Sequence, residues 1–413
     1  MSPTSTLSFY LALAWRNIWR NRRRSLISIA SVLFAVIIAL ATRSMQLGTY
    51  ARLIENMVSF YTGYAQIQSP EYWDTHSLDD SFVLSDSLFK AVTQTPHITA
   101  AAPRLEAFGL VSGKTTTTGA LIVGVDPGPE ARLTHLDKRV KSGRFIDQSS
   151  RGALVAKGLA EHLNIDVGDT LVVLSQGYHG VTAAAKLAVE GLLDFPSPTL
   201  NACLIYLTLP AAQELFDMNG RVTSLAVMVD KPKRQEAAVA NLKQAVGGDL
   251  TVLTWQDMLP EVVQYIEMDN SSGIIMLLII YLVIGFGILG TILMMTLERR
   301  REFGMLIAVG MKRGRIRLII LLESIILTLI GVLSGVILGF PILLYLYLNP
   351  IPLGGEWAVY MERYGFEPVL PFSLDPMIFV WQTLSVLAIA LVVAIFPLLQ
   401  IRRIKPAAVL RTG

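Results

Sequence analysis

Cysteine is almost missing from this chain. Cys203 stands alone, which excludes an intrachain disulfide and any cysteine-rich metal site. Histidine is sparse as well: His76, His97, His135, His162 and His179 are scattered, with no H-E-x-x-H or paired spacing, so no metal site is expected. One cysteine and five isolated histidines supply neither a Ser/His/Asp nor a Cys/His arrangement. The neighbouring acids Asp79 and Asp80 lie in a polar segment and read as solvated surface rather than acid/base machinery. A phosphate-binding loop is lacking too. Residues 109–115, GLVSGKT, come near G-x-x-x-x-G-K-[ST], but the pattern needs glycine at 108, where Phe108 stands, and the segment reads as a turn between strands. No recognisable ATPase is encoded here.

Charge is the other scarcity. Of 413 residues, 53% are hydrophobic and 16% charged, and mean hydropathy is +0.51, too apolar for an ordinary soluble protein. Residues 271–297 carry no charge, and only Glu323 interrupts the next apolar run, which continues to Gly355. About twenty apolar residues cross a bilayer as a helix. The net charge of +3 hides an asymmetry: residues 16–24, 298–317 and 402–411 hold sixteen of the 35 lysines and arginines but two of the 32 acids. Basic clusters beside membrane spans mark the cytoplasmic side. The run Arg22-Arg23-Arg24 precedes an apolar span and reads as membrane orientation; no nucleic-acid partner is expected.

Taken in order, residues 1–24 form a cytoplasmic amphipathic helix, with Trp15 and Trp19 as interfacial belt residues. Residues 25–46 are the first transmembrane helix; the long N-region and the missing small-x-small site favour an uncleaved anchor over a signal peptide. Residues 47–269 change character to a globular extracytoplasmic domain, with short β-rich runs at 120–125, 170–174 and 201–209 between turns. Helices are expected at 159–163 and 210–216, strand–helix–strand over 223–253, stalk helices at 47–60 and 255–267, and an inserted subdomain over about 108–221. Then come transmembrane helices at 270–297, 316–348 and 376–401, a cytoplasmic loop helix at 298–315, an external loop at 349–375 and a cytoplasmic tail at 402–413. The fold class is thus membrane α-helical, four transmembrane helices plus a large extracytoplasmic α+β domain of two subdomains. With four spans, both termini and the 298–315 loop share one side, where every basic cluster falls.

In the loop, Phe303, Leu306, Ile307 and Gly310 fall at i, i+3, i+4 and i+7, a stripe suited to a partner's groove. Gly331, Gly335 and Gly339 allow close helix packing, against this chain's own spans or a second subunit. Glu323, an acid within the third span, is read as pairing with a basic neighbour, and Pro397 as a kink in the fourth. Residues 195–198, FPSP, read as a turn.

Three cytoplasmic stretches carry a family resemblance: WRNIWRNRRR at 15–24, ERRREFGMLIAVG at 298–310 and KPAAVLR at 405–411. The external pieces VGVDP at 123–127, SGRF at 142–145, GALV at 152–155, VGDT at 167–170 and LPAAQELF at 209–216 extend it over essentially the whole chain. Together they resemble the FtsX/MacB-like permeases of type VII ABC transporters. The resemblance implies a bacterial inner-membrane subunit that binds no cofactor itself and pairs with a second permease, identical or paralogous. It also implies a cytosolic ATPase dimer that holds ATP and Mg. The ATPase-coupling helix would be 298–310, with Glu298, Glu302, Phe303, Gly304, Leu306, Ile307 and Gly310 on the motif. The family converts ATP-driven closure in the cytosol into movement of the external domain, a mechanism called mechanotransmission. An external domain of this size resembles lipoprotein-releasing permeases and macrolide-type exporters, which implies lipidated or amphiphilic cargo held by the stalks and first two spans. A carrier-recruiting hook would have 195–198 as its candidate. The alternative is an FtsX-like regulator that controls a cell-wall hydrolase without moving cargo.

Overall fold

The computed structural model describes residues 3–20, 22–363 and 368–402. The basic tail from 403 on, with the motif at 405–411, lies outside the described residues. The chain forms two compact units, one built from residues up to 51, 266–351 and from 369 on, the other from 52–265 and 352–368.

In the first unit, the long apolar runs become helices because only a helix satisfies every backbone N–H and C=O in hydrocarbon. Among the described residues, four are long and apolar enough to cross a membrane: Arg22–Thr62, Pro260–Glu298, Arg313–Leu348 and Pro376–Phe396. Val36 and Leu40 of the first, Ile284 and Ile288 of the second, Val332 and Leu343 of the third and Val386 of the fourth form their shared core. The separating boundary expected at 46/47 is absent: span and stalk are one α-helix, Arg22–Met57, ending in a π-helical turn, Val58–Thr62. Polar residues of the stalk keep the helical backbone hydrogen bonds of the span, so composition changes where conformation does not. The return stalk, by contrast, breaks. A capping box between Thr254 and Asp257 starts the short helix Trp255–Met258, Leu259 leaves helical geometry, and Pro260 begins a helix continuous with the second span to Glu298. The third span starts at Arg313 rather than 316. Pro397 lies inside the helix Pro376–Arg402, where side chains from 397 on are outside the described residues.

The glycine row packs on this chain's own first span. A Cβ at Gly331 would sit 2.7 Å from Val32 Cβ and 3.1 Å from the Ile29 carbonyl oxygen; at Gly335, 2.8 Å from Val36 Cβ; at Gly339, 3.4 Å from Leu40 Cδ1. Hydrogen in place of a side chain lets the two helices meet almost backbone to backbone.

In the second unit, β-branched and aliphatic runs give β1 (Ala65–Gln68), β2 (Phe82–Val83), β3 (Ile98–Ser112), β4 (Thr117–Val125), β5 (Val140–Gly143) and β6 (Ala153–Ala156). They continue with β7 (Thr170–Gln176), β8 (Thr182–Leu193), β9 (Leu204–Thr208), β10 (Arg221–Val222), β11 (Ser224–Val229) and β12 (Thr251–Thr254). Ten of these make one sheet in the order β12-β1-β11-β3-β4-β9-β6-β8-β5, with β7 pairing β3 and β8, while β2 and β10 pair separately. Pairing is antiparallel except for β4 with β9 and β6 with β8. Two cores form. One gathers Ile67, Leu225, Val227, Val239 and Leu242, the other Leu105, Val111, Ile122, Leu159, Leu171, Tyr206 and Phe216. The subdomain seam expected at about 108 and 221 falls inside β3 and β10, and β3, fifteen residues long, feeds both cores without a break. In the turn expected at 195–198, Phe195 is buried and stacks on Tyr206 at 6.3 Å, and Ser197 caps the helix Pro198–Cys203.

Arg104 and Glu130 form a fully buried ion pair, Nη2 to Oε1 at 2.6 Å and Nε to Oε2 at 3.0 Å. Thr134 Oγ1 donates to Glu130 Oε1 at 3.0 Å, and Arg104 Nη1 donates to the Tyr61 carbonyl. The Arg104 guanidinium lies 4.9 Å from the Tyr61 ring, and that of Arg139 4.2 Å from the Phe60 ring. Two arginines thus grip consecutive aromatics of the π-helical turn.

Candidate functional site

The site is the charged loop between the second and third spans. Arg299 interrupts the helix after Glu298, the loop helix runs Arg300–Ala308, and Lys312 precedes the third span. Gly310 ends the loop helix at φ +101°, a conformation that side chains rarely adopt. Val309 N donates to the Met305 carbonyl at 3.0 Å and Met311 N to that of Leu306 at 2.9 Å, closing the last turn.

Acid–base contacts brace this loop. Arg299 Nη1 reaches both oxygens of Glu323, at 2.9 and 2.8 Å, and its Nε donates to Glu302 at 3.1 Å. Asn17 Nδ2, from the helix Pro3–Arg20, donates to Glu323 at 2.6 Å. Arg20 pairs with Glu302, and Arg24 with Glu298. Glu323 therefore serves as the buried end of a network that ties the first helix, the loop and the third span together. The Arg20 guanidinium, with Arg299 adding to it, holds the Glu302 carboxyl below the usual glutamate range.

The apolar stripe divides. Phe303, only 2% exposed, packs on Ile316 and Ile320 of the third span, with Ile307 and Met311 beside it and the Arg299 guanidinium 5.2 Å from its ring. Gly304 is buried. Phe303 and Ile307 thus face inward, correcting the expectation that all four stripe residues face a partner. A nine-residue helix carries two apolar stripes, and the one aligned with Ile316 and Ile320 is satisfied within the chain. Leu306 remains on the open side, 37% exposed, with Met305 and with Val309 at 88%. Met305 and Val309, an i, i+4 pair, form the second stripe that the sequence reading passed over. Glu298 and Glu302 hold the loop in place through arginines on the first two helices.

The near-match to a phosphate loop is the hairpin turn between β3 and β4. Gly113 N donates to the Thr116 carbonyl, and Lys114 pairs with Asp169 at 2.6 Å. Among the described residues, no group of three or more His, Cys, Asp or Glu side chains could hold a metal ion.

The braced loop helix thus sits in a chain with four helices long and apolar enough to cross a membrane and a separate α+β unit. Residues 26–245 match the MacB-like periplasmic core domain and residues 274–406 the FtsX-like permease C-terminal domain. The chain belongs to this FtsX-like and MacB-like family of ABC transporter permeases. It is 23% identical over 326 residues to the lipoprotein-releasing system transmembrane protein LolC of Xylella fastidiosa, covering 76% of this chain and 78% of the relative. It is 21% identical to LolE of Haemophilus influenzae, covering 96% of this chain and 98% of the relative. The solved periplasmic region of MacB from Actinobacillus actinomycetemcomitans aligns at 13% identity with a TM-score of 0.36, covering 51% of this chain and 97% of that one.

Proposed function

We propose that this chain is the non-catalytic transmembrane subunit of an inner-membrane ABC transporter, both termini cytoplasmic, driven by a separate cytosolic ATPase dimer that binds ATP and Mg. It works beside a second permease subunit, a copy or a paralogue. The ATPase docks on the open side of the loop helix, at Met305, Leu306 and Val309, while Phe303, Gly304 and Ile307 seat that helix on the third span. ATP-driven closure moves the loop, and mechanotransmission carries the movement along the helices to the external unit. Lipidated or amphiphilic cargo is released there. The observation that carries the reading is the exposed apolar face of a loop helix braced on its other side by Glu298, Glu302 and Glu323. The names of the LolC and LolE relatives support the cargo class.

Leu306→Asp tests the docking face. A charge buried without a partner in an interface costs on the order of several kcal/mol. ATPase co-purification is expected to be lost while membrane insertion and the protease resistance of the external unit persist; unchanged co-purification overturns the docking face. Reconstitution with the ATPase tests the cargo: lipoprotein-stimulated turnover with transfer to an acceptor is expected, and activation of a wall hydrolase in its place makes the chain a regulator.

A further inference from the structure

The helix Pro3–Arg20 has two faces with different fates. Ala14 and Ile18 are buried, and Ile18 packs with Ile29 and Leu327. On this side Asn17 bonds Glu323 and Arg20 pairs with Glu302, so the helix is held in a fixed orientation. Its opposite side is open. Phe9, Leu11, Trp15 and Trp19 are exposed, and the two indoles stand edge to face at 5.8 Å. Arg16, Arg22 and Arg23 are exposed as well.

The charge balance of this face is one-sided. The chain has no acid before Glu55. The acids that the fold brings close, Glu298, Glu302 and Glu323, are engaged by Arg24, Arg20 and Arg299 respectively. An occupant must therefore offer an apolar layer for the indoles and negative charge at the depth of the guanidinium groups. A zwitterionic bilayer offers phosphates as well as an apolar layer, but each phosphate is neutralised by its own headgroup cation, so it supplies no net negative charge. Guanidinium groups bind phosphate oxygens through paired N–H donors, and attraction to an anionic surface accumulates with each arginine.

We propose that Phe9, Leu11, Trp15, Arg16, Trp19, Arg22 and Arg23 form a binding site for anionic phospholipid headgroups, with Arg16, Arg22 and Arg23 on the phosphates and Trp15 and Trp19 seated at the acyl–headgroup boundary. The site is distinct from the ATPase-docking face, and its test needs no ATPase, so either reading can fail without the other. The full chain is reconstituted in nanodiscs of equal phosphatidylcholine and phosphatidylglycerol and extracted in mild detergent, and the retained lipid is quantified by mass spectrometry. The wild type is expected to retain phosphatidylglycerol preferentially. R16Q/R22Q/R23Q is expected to lose roughly five-fold or more of that preference. The charge-matched loop variant R300Q/K312Q/R315Q is expected to keep it, and R16K/R22K/R23K to recover most of it in a chain that keeps its charge. No preference in the wild type, or equal loss in the two glutamine variants, overturns the site.

Discussion

Two of the arginine–carboxylate assemblies among the described residues differ in how far they are withdrawn from water. Arg104 and Glu130 in the external unit are both at 0% exposure, with Thr134 and the Tyr61 carbonyl completing their hydrogen bonds. At the loop, Arg20 and Glu302 are 52% and 39% exposed, and only the Arg299–Glu323 pair is largely withdrawn from water. Water competes for an exposed pair and makes its exchange inexpensive, whereas a dry pair has no substitute partner. The external assembly is a fixed joint; the loop assembly is a graded one, dry at Glu323 and wet at Glu302.

That contrast is open to direct challenge. Glu130→Ala strands Arg104 without its counter-charge, and we expect the largest loss, about 3–5 kcal/mol, in denaturant unfolding of the external unit within the full chain. Arg104→Met with Glu130→Leu should recover most of it; a single-variant loss no greater than that of a surface pair ends the distinction. Glu323→Gln removes the bidentate partner of Arg299 and should cost about 1.5–3 kcal/mol, read as faster hydrogen exchange over residues 300–308. Gly335→Leu forces a side chain into the 2.8 Å space before Val36 Cβ and is expected to lower stability by about 1–3 kcal/mol in a detergent melt. Glu302→Gln is the smallest step, below about 1 kcal/mol, because solvent screens the pair. Its carboxyl is depressed by Arg20, so its contribution is complete above the unfolded value and disappears as pH falls through the lower folded one. Acidification therefore loosens this contact and alkalinisation does not; hydrogen exchange of the loop helix that rises with pH beyond the intrinsic dependence contradicts the assignment.

The spans were legible because hydrocarbon thickness imposes a length on apolar runs, and residues 271–297 meet it without a single charge. Their ends were not, since a helix such as Arg22–Met57 continues past the point where its composition turns polar. At the loop, spacing identified a stripe but could not say which of two stripes had a partner inside the chain; that depended on Ile316 and Ile320. The need of Glu323 for a cation was readable from its place in an apolar run. Its companion Asn17 was not, because 306 positions separate them and no local pattern links the two. The external unit hid its central feature for the same reason: Arg104 looks like any strand arginine until Glu130 and the π-helical turn are folded against it.

The glycine row on the third span has a consequence for where this bundle can part. With Cβ positions at 331 and 335 already within 3 Å of valine side chains on the first span, that seam is too narrow for an acyl chain to enter. It behaves as a welded edge. The second span differs: it turns Ile274, Leu278, Leu282 and Phe286 outward, while Ile284 and Ile288 pack in the bundle core.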